Sequence, residues 1–289
     1  MTIKGAIKTA REKFNGLGIA SAALDAEVLL SHVTGLEKAA LYCEWDRTLK
    51  DNEAARYNIL TTRRLSGEPV AYITGHKEFM GLDFYVDSAV LIPRPETELL
   101  VEHALQVMPP FSVLIDVGTG SGVIAVSLAY YNKEALLYAT DCSTAALAVA
   151  RRNCIRHGVS GRVFLHPGDL LQPLYGCPAA DGVDLIAANL PYIAESDLSG
   201  LPGEVRMFEP RLALAAGEDG LEHYRRLVPQ AAAFLKKGGY LLIEIGFDQG
   251  RQAEALFDPH VWESEVLKDL AGFDRLVVAR YKGEQGAGK

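Results

Sequence analysis

Paired cysteines are missing from this 289-residue sequence. Cys43, Cys142, Cys154 and Cys177 make no C-x-x-C spacing, and a chain of this length does not need disulfides to stay folded, so a reducing, cytoplasmic setting is expected. Cys154 and His157 are spaced like half of a metal site, but no second half lies near, and no metal is expected. An excess of positive charge is missing too. Against 37 Asp and Glu there are 29 Lys and Arg, a formal charge of −8, which argues against a large phosphate-neutralising surface and against direct nucleic-acid binding. The basic clusters "TRR" at 62 to 64 and "ARRN" at 150 to 153 are short and read as solvated helix faces. No uninterrupted apolar run is long enough for a membrane span or a secretory signal. The first residues, "MTIKGAIKTAREKF", are charged throughout, and the most apolar stretch, 113 to 131, is broken by Asp116 and three glycines into strand, loop and helix. A soluble protein with no membrane partner is expected, and no internal repeat is found.

What is present is an ordinary globular composition, 49% apolar and 23% charged, with enough chain for a small domain joined to a larger one. Residues 1–75 read as helices. "TIKGAIKTAREKFNGLG" closes on glycine, and "SAALDAEVLLSHVTG" has Ser21 placed as an N-cap and Gly35 as a stop. Residues 76–95 read as a hairpin around Met80-Gly81 followed by a linker fixed by Pro93 and Pro95. From 96 to 289 strand and helix alternate, with strands expected near 112–117, 135–140, 162–166, 183–188 and 239–245, as in a doubly wound, largely parallel α/β sheet. "WESEVLKD" and "DRLVVARY" are expected to pair antiparallel at one edge, and the closing "GEQGAGK" to fray.

The strand "VLIDV" runs into Gly118-Thr119-Gly120-Ser121-Gly122 and then a helix. Glycines let a backbone approach a ligand closely, and a helix N-terminus offers N–H groups. The spacing is G-x-G-x-G, no lysine supplies a P-loop, and Asp116 brings negative charge where a pyrophosphate would sit. A ligand carrying an amine and a sulfonium fits that charge better than a dinucleotide does. Asp141 ends the next strand, placed to grip ribose hydroxyls, or else to cap the helix "STAALAVARRN", a task Ser143 can also perform. Asp169 in "GDL" follows the third strand, where an adenine amino group could be accepted.

"NLPYI", 189 to 193, follows the strand "VDLIAA" and faces the same sheet edge. It reads as a plain turn or as a clamp for a planar amide. In the second reading the Oδ1 of Asn189 and the carbonyl of Leu190 accept two N–H bonds, Pro191 fixes the chain, and Tyr192 covers the flat face of the target. No histidine falls in the glycine loop, at Asp141 or in this stretch.

Taken together, "DVGTGSG", "ATDCSTAALAVARRN", "GDL", "NLPYI", "VRMFEPRLALAAGEDGLEHYRRL", "EIGFDQG" and "EPVAYITGHKEFMGLDFYVDSAVLIPRPETELL" resemble the release-factor glutamine N5-methyltransferases through nearly the whole chain. The resemblance implies a class I S-adenosylmethionine-dependent methyltransferase domain, Rossmann-like with a mostly parallel seven-stranded sheet, behind a small helical N-terminal domain for substrate recognition. It implies S-adenosyl-L-methionine as cofactor and peptide chain release factors as partners, methylated on the glutamine of a Gly-Gly-Gln loop. A monomer is expected. By position, Gly118, Thr119, Gly120, Ser121 and Gly122 would contact the methionine part of the cofactor, Asp141 its ribose, and Asp169 with Leu170 its adenine. Asn189, Leu190, Pro191 and Tyr192 would hold the glutamine, with Asn189 close to the cofactor as well. The family's commoner motif is Asn-Pro-Pro-Tyr. Leu190 keeps the carbonyl but not the ring that locks φ, so its side chain is expected to be replaceable. Leu170 stands where some members carry an aromatic residue, which weakens the expected adenine packing. Rival readings are glutamine methylation of a ribosomal protein, whose enzymes usually carry Pro-Arg-Ser where this chain has "PRPETE", and methylation of a nucleic-acid base. A nicotinamide oxidoreductase or a non-catalytic nucleotide-binding module is a more distant alternative.

Overall fold

The computed structural model describes residues 1–283, so the tail expected to fray lies, but for Gly283, outside the described residues. The chain forms two compact units: Met1–His76 with Pro202–Phe208, and Lys77–Leu201 with Glu209–Lys289. No helix among the described residues is long and apolar enough to cross a membrane.

The first unit is helical: α1 (Ile3–Gly16), α2 (Ala22–Thr34), α3 (Lys38–Cys43), α4 (Asp51–Leu65) and α5 (Val70–Thr74). Ile3, Ala6, Ile7, Ala10 and Phe14 recur at helical spacing along α1 and pack into one core with Leu29, Leu30 and Tyr57. Thr2 caps α1 by accepting the Gly5 N–H at 3.1 Å. Ser21 occupies the N-cap of α2 as expected, but its side chain makes no capping bond; Gly35 ends that helix in the left-handed conformation. A buried guanidinium must be paired, and Arg64 on α4 meets Asp25 at 2.7 Å and Glu204 at 2.8 Å.

The second unit begins with a two-stranded hairpin, β1 (His76–Phe79) and β2 (Leu82–Tyr85), turning through Met80 and Gly81, both at positive φ. There follow α6 (Thr97–Val107), β3 (Val113–Val117), α7 (Val123–Tyr131), β4 (Leu136–Asp141), α8 (Thr144–Arg156), β5 (Val163–Pro167) and β6 (Val183–Ala188). After α9 (Gly203–Phe208), which belongs to the first unit, come α10 (Glu222–Phe234), β7 (Leu235–Glu244), α11 (Gly250–Glu254), β8 (Trp262–Lys268) and β9 (Asp274–Tyr281).

Seven strands form one sheet in the order β5-β4-β3-β6-β7-β9-β8. The first five are parallel; β9 is antiparallel to β7, and β8 to β9. Alternate residues enter opposite cores: Leu114, Leu185, Ala187 and Leu242 on one face, Ile115, Ile186, Ala188 and Leu241 on the other. Helices cover both faces of such a sheet, which is why these strands read as near-continuous apolar runs. The strand expected at 239–245 starts earlier, at Leu235, because the chain bulges between Leu235 and Tyr240 against β6 and then resumes register.

Asn153, in the helix read only as a basic face, is fully buried and joins three segments. Its Nδ2 donates to the carbonyls of Tyr85 at 2.9 Å and Ser121 at 2.8 Å, and its Oδ1 accepts the Tyr85 N–H at 2.8 Å. Asn153→Leu leaves three buried backbone groups without partners and should destabilise the fold by about 3 kcal/mol or more, read from denaturant unfolding.

Candidate functional site

The strand order reverses between β3 and β6: the chain leaves β3 for β4 and β5 on one side, and continues from β6 to β7 on the other. Open α/β sheets bind ligands at such a switch point, beyond the carboxyl ends of the strands. A cavity of about 1100 Å³, its mouth included, lies there. Its wall includes Gly118 to Ser121, Asp141, Asp169, Leu170, Asn189, Leu190 and Pro191. Gly122 and Tyr192 are not on that wall.

Gly118, Gly120 and Gly122 have φ of 73°, 55° and 83°, conformations that favour glycine. The loop's donors are largely spent inside the protein. Gly118 N and Thr119 N both donate to the Thr140 carbonyl, Gly120 N to Asp141 Oδ2 at 2.8 Å, and Gly122 N to the Thr119 carbonyl at 2.8 Å. The N–H cradle expected from the motif is therefore mostly closed to a phosphate.

Asp116 is not on the wall either. It is fully buried behind the loop, where Oδ2 accepts the Thr119 hydroxyl at 2.6 Å and the Ala125 N–H at 3.1 Å, and Oδ1 has no partner among the described residues. Burial pushes its pKa up to about 7, against those two bonds, with the Asp141 charge adding to the rise. Burial also raises the Asp141 pKa, opposed by the N–H bonds from Ser143 and Gly120. Of the two roles open to Asp141, helix capping falls to Ser143, whose hydroxyl accepts the Ala146 N–H at 3.1 Å. The two crowded carboxyls suit a cationic group in the cavity, which would return both towards ordinary acidity. Asp169 is ion-paired with Arg226, and Leu170 beside it is buried with φ of 48°.

The 189–193 segment is pinned from behind. Asn189 Nδ2 donates to the Thr97 hydroxyl at 3.0 Å, and the Leu190 N–H donates to the Tyr224 hydroxyl at 3.1 Å. Gln249 Nε2 donates to the Tyr192 carbonyl at 2.9 Å while its Oε1 accepts the Gly246 N–H at 2.8 Å. The leucine side chain is not idle: Leu190 is 6% exposed, and a Cβ added at Gly118 would meet its Cδ2 at 2.6 Å. The expectation that this side chain is replaceable gives way to a packed contact between the two loops. Tyr192 also differs from expectation. Rather than covering a target from the cavity wall, its side chain is half-buried and packs against the core that holds Tyr224 and Ile245. Burial raises the phenol's pKa accordingly.

With this geometry in place, comparison with known proteins is informative. Residues 5–75 match the model of the PrmC N-terminal domain, and residues 95–200 that of the methyltransferase small domain. A release factor glutamine methyltransferase of Moorella thermoacetica is 44% identical over 99% of this chain and 100% of its own length. Proteins of the same name from Nitratidesulfovibrio vulgaris (41% identical, 96% of this chain, 95% of that one) and Geobacter sulfurreducens (40%, 96% and 96%) align nearly as fully. The chain belongs to the release factor glutamine methyltransferase family. Its second unit has the class I methyltransferase fold.

Several wall residues of this release factor glutamine methyltransferase family member escaped the sequence reading. Arg94 and Thr97, from the "IPRPETE" stretch used only to separate rival families, line the cavity, as do Pro210, Leu212 and His223. Arg94 is held by Glu209 at 2.6 Å, and Glu209 also accepts the Ile92 N–H. Among the described residues no cluster of His, Cys, Asp and Glu is placed to hold a metal.

Glu244, 1% exposed, is the second carboxyl with a pKa raised to about 7, by burial first, with Thr97, Arg275 and Tyr192 opposing and Glu96 adding to the rise. For both Asp116 and Glu244 the folded pKa exceeds the unfolded one, so between roughly pH 4 and 7 these two groups hold more protons in the folded protein and their contribution to stability falls as pH rises. Asp116→Asn and Glu244→Gln should each flatten that fall in urea unfolding measured across this window; unchanged slopes would remove these carboxyls as its cause.

Proposed function

We propose that the protein transfers a methyl group from S-adenosyl-L-methionine to the side-chain N5 of the glutamine in the Gly-Gly-Gln motif of class 1 peptide chain release factors. The observation that carries this reading is that Asn189 and Leu190 line one cavity with Asp141 and a glycine loop whose N–H groups are mostly spent, while the Asn189 Nδ2 is engaged by Thr97. Such a cavity suits a cationic nucleoside and a planar amide better than it suits a pyrophosphate.

When bound, the cofactor supplies an electrophilic methyl carbon on a sulfonium. Its methionine part would lie along Gly118 to Gly122, its ribose on Asp141, and its adenine against Leu170 with Asp169 near the amino group. An amide nitrogen is a poor nucleophile because its lone pair is delocalised into the carbonyl. Asn189 Oδ1 and the Leu190 carbonyl accept its two N–H bonds, fix its orientation and raise its electron density. Pro191 steers Leu190 to the extended backbone that aims this carbonyl. The amide nitrogen would take that methyl carbon in exchange for its bond to sulfur and, acidified by methylation, would release its surplus proton to solvent. No dedicated base is required. The helical region 1–75 would recognise the release factor.

The deciding assay is transfer of labelled methyl to purified release factor, with the site mapped by mass spectrometry. Label on a ribosomal protein or on nucleic acid instead would overturn the reading. Asn189→Ala should lower turnover by about 100-fold or more while cofactor affinity stays near the parent value, since a transition-state hydrogen-bond acceptor is lost but the cofactor wall is not.

A further inference from the structure

The end of the cavity at Asp169 and Leu170 has a second wall, made by a helix. α10 runs along the 168–171 loop and bonds to it at two points one turn apart: Arg226 pairs with Asp169, and Gln230 Oε1 accepts the Leu171 N–H at 3.2 Å. Residues 223, 226 and 230 are spaced i, i+3 and i+7, which puts all three on one helix face. His223 therefore stands one turn before Arg226 on the face turned to that loop, and it lines the cavity together with Asp169 and Leu170. It is half-buried and has no hydrogen-bond partner among the described residues. Of the residues that line the cavity, it alone carries an aromatic ring.

A purine has two flat, weakly hydrated faces, and a flat side chain laid against one of them is what holds it most strongly without regard to its edges. Leu170 is not flat, and its side chain is spent in the core with Leu171, Tyr224 and Leu227. Arg94, the other planar cation or ring on the wall, belongs to the opposite end: Glu209 holds it three residues before Thr97, which bonds Asn189. We propose that His223 supplies the aromatic face on which the adenine of the cofactor rests, with Arg226 as a positioning residue for the adenine edge. Arg226 takes Asp169 Oδ2, and Oδ1, which has no partner among the described residues, is left for the exocyclic amino group. One face of α10 thus serves the adenine twice, directly through a ring and indirectly through a carboxylate. This rests on the reading of the cavity as an S-adenosylmethionine site.

The test uses the full chain and two ligands that differ only in the adenine ring, S-adenosylhomocysteine and S-ribosylhomocysteine. Dissociation constants for both are measured by calorimetry, directly or by competition, for the parent, His223→Ala, His223→Gln and His223→Phe, with Tm alongside. His223→Ala and His223→Gln should each bind S-adenosylhomocysteine about tenfold more weakly, the scale of one lost aromatic–base stack, and bind S-ribosylhomocysteine as the parent does. His223→Phe, which keeps a flat ring, should hold S-adenosylhomocysteine as tightly as the parent. Folded Ala and Gln variants with parent affinity for S-adenosylhomocysteine, or with an equal loss for both ligands, would overturn the inference and leave the glutamine-methylation reading intact. A parent protein that does not bind S-adenosylhomocysteine at all would overturn the cofactor reading and this inference with it.

Discussion

The parallel pairing of β3 with β6, in which Val117 lies opposite Ala188, is the constraint on which the cavity depends. It ends two strands at the same level and sends their following segments, the glycine loop and the 189–193 stretch, out side by side. The space between them is set by contact. Leu190 Cδ2 lies where a side chain on Gly118 would begin, so the two loops that wall the cavity are in van der Waals register. A shift of either strand by one residue would carry an apolar core face to the wrong side of the sheet, so the burial of Leu114, Ile115, Leu185 and Ile186 holds the site as firmly as it holds the fold.

Around that gap the protein buries acid. Asp116 and Glu244 are at most 1% exposed, each has one oxygen without a partner among the described residues, and each is pushed towards neutrality by desolvation. Such groups weaken a fold, and they persist where the arrangement they support is needed. Asp116 braces the loop through Thr119 and the start of α7. Glu244 takes the Tyr224 hydroxyl proton on its main-chain carbonyl, behind the 189–193 stretch. The two residues stand behind the two loops of one cavity, and neither is on its wall.

The sheet was legible in the sequence because buried parallel strands write themselves as apolar runs, and the glycine loop because positive φ demands glycine. The antiparallel pair at the edge was legible too, but its threading was not: nothing local says that the last strand inserts between β7 and β8. The wall residues read from the chain, Asp141, Asp169 and Asn189 among them, stand just after strand ends, where position alone suggests a role. Thr97, Tyr224 and Gln249 gave no such sign. Their bonds to the 189–193 stretch span 92, 34 and 57 residues, and a hydroxyl or amide inside a helix or loop motif is silent until its distant partner is known. The same distance hid the packing of Leu190, which looked like a carbonyl with a spare side chain.

The inserted position of β9 has a consequence for synthesis. While the chain emerges from its N-terminus, β7 can pair with β6, but its other edge stays open until residues 274–281 have been made. That edge carries Leu241, Leu242 and Ile243, all fully buried in the finished sheet. For the interval in which β8 is already outside and β9 is not, the nascent protein exposes an unpaired apolar ribbon, the kind of surface that neighbouring chains and holdase chaperones capture. Glu244 ends the same ribbon, so the carbonyl that holds the Tyr224 hydroxyl behind the 189–193 stretch borders an edge that stays open until the last strand is in place.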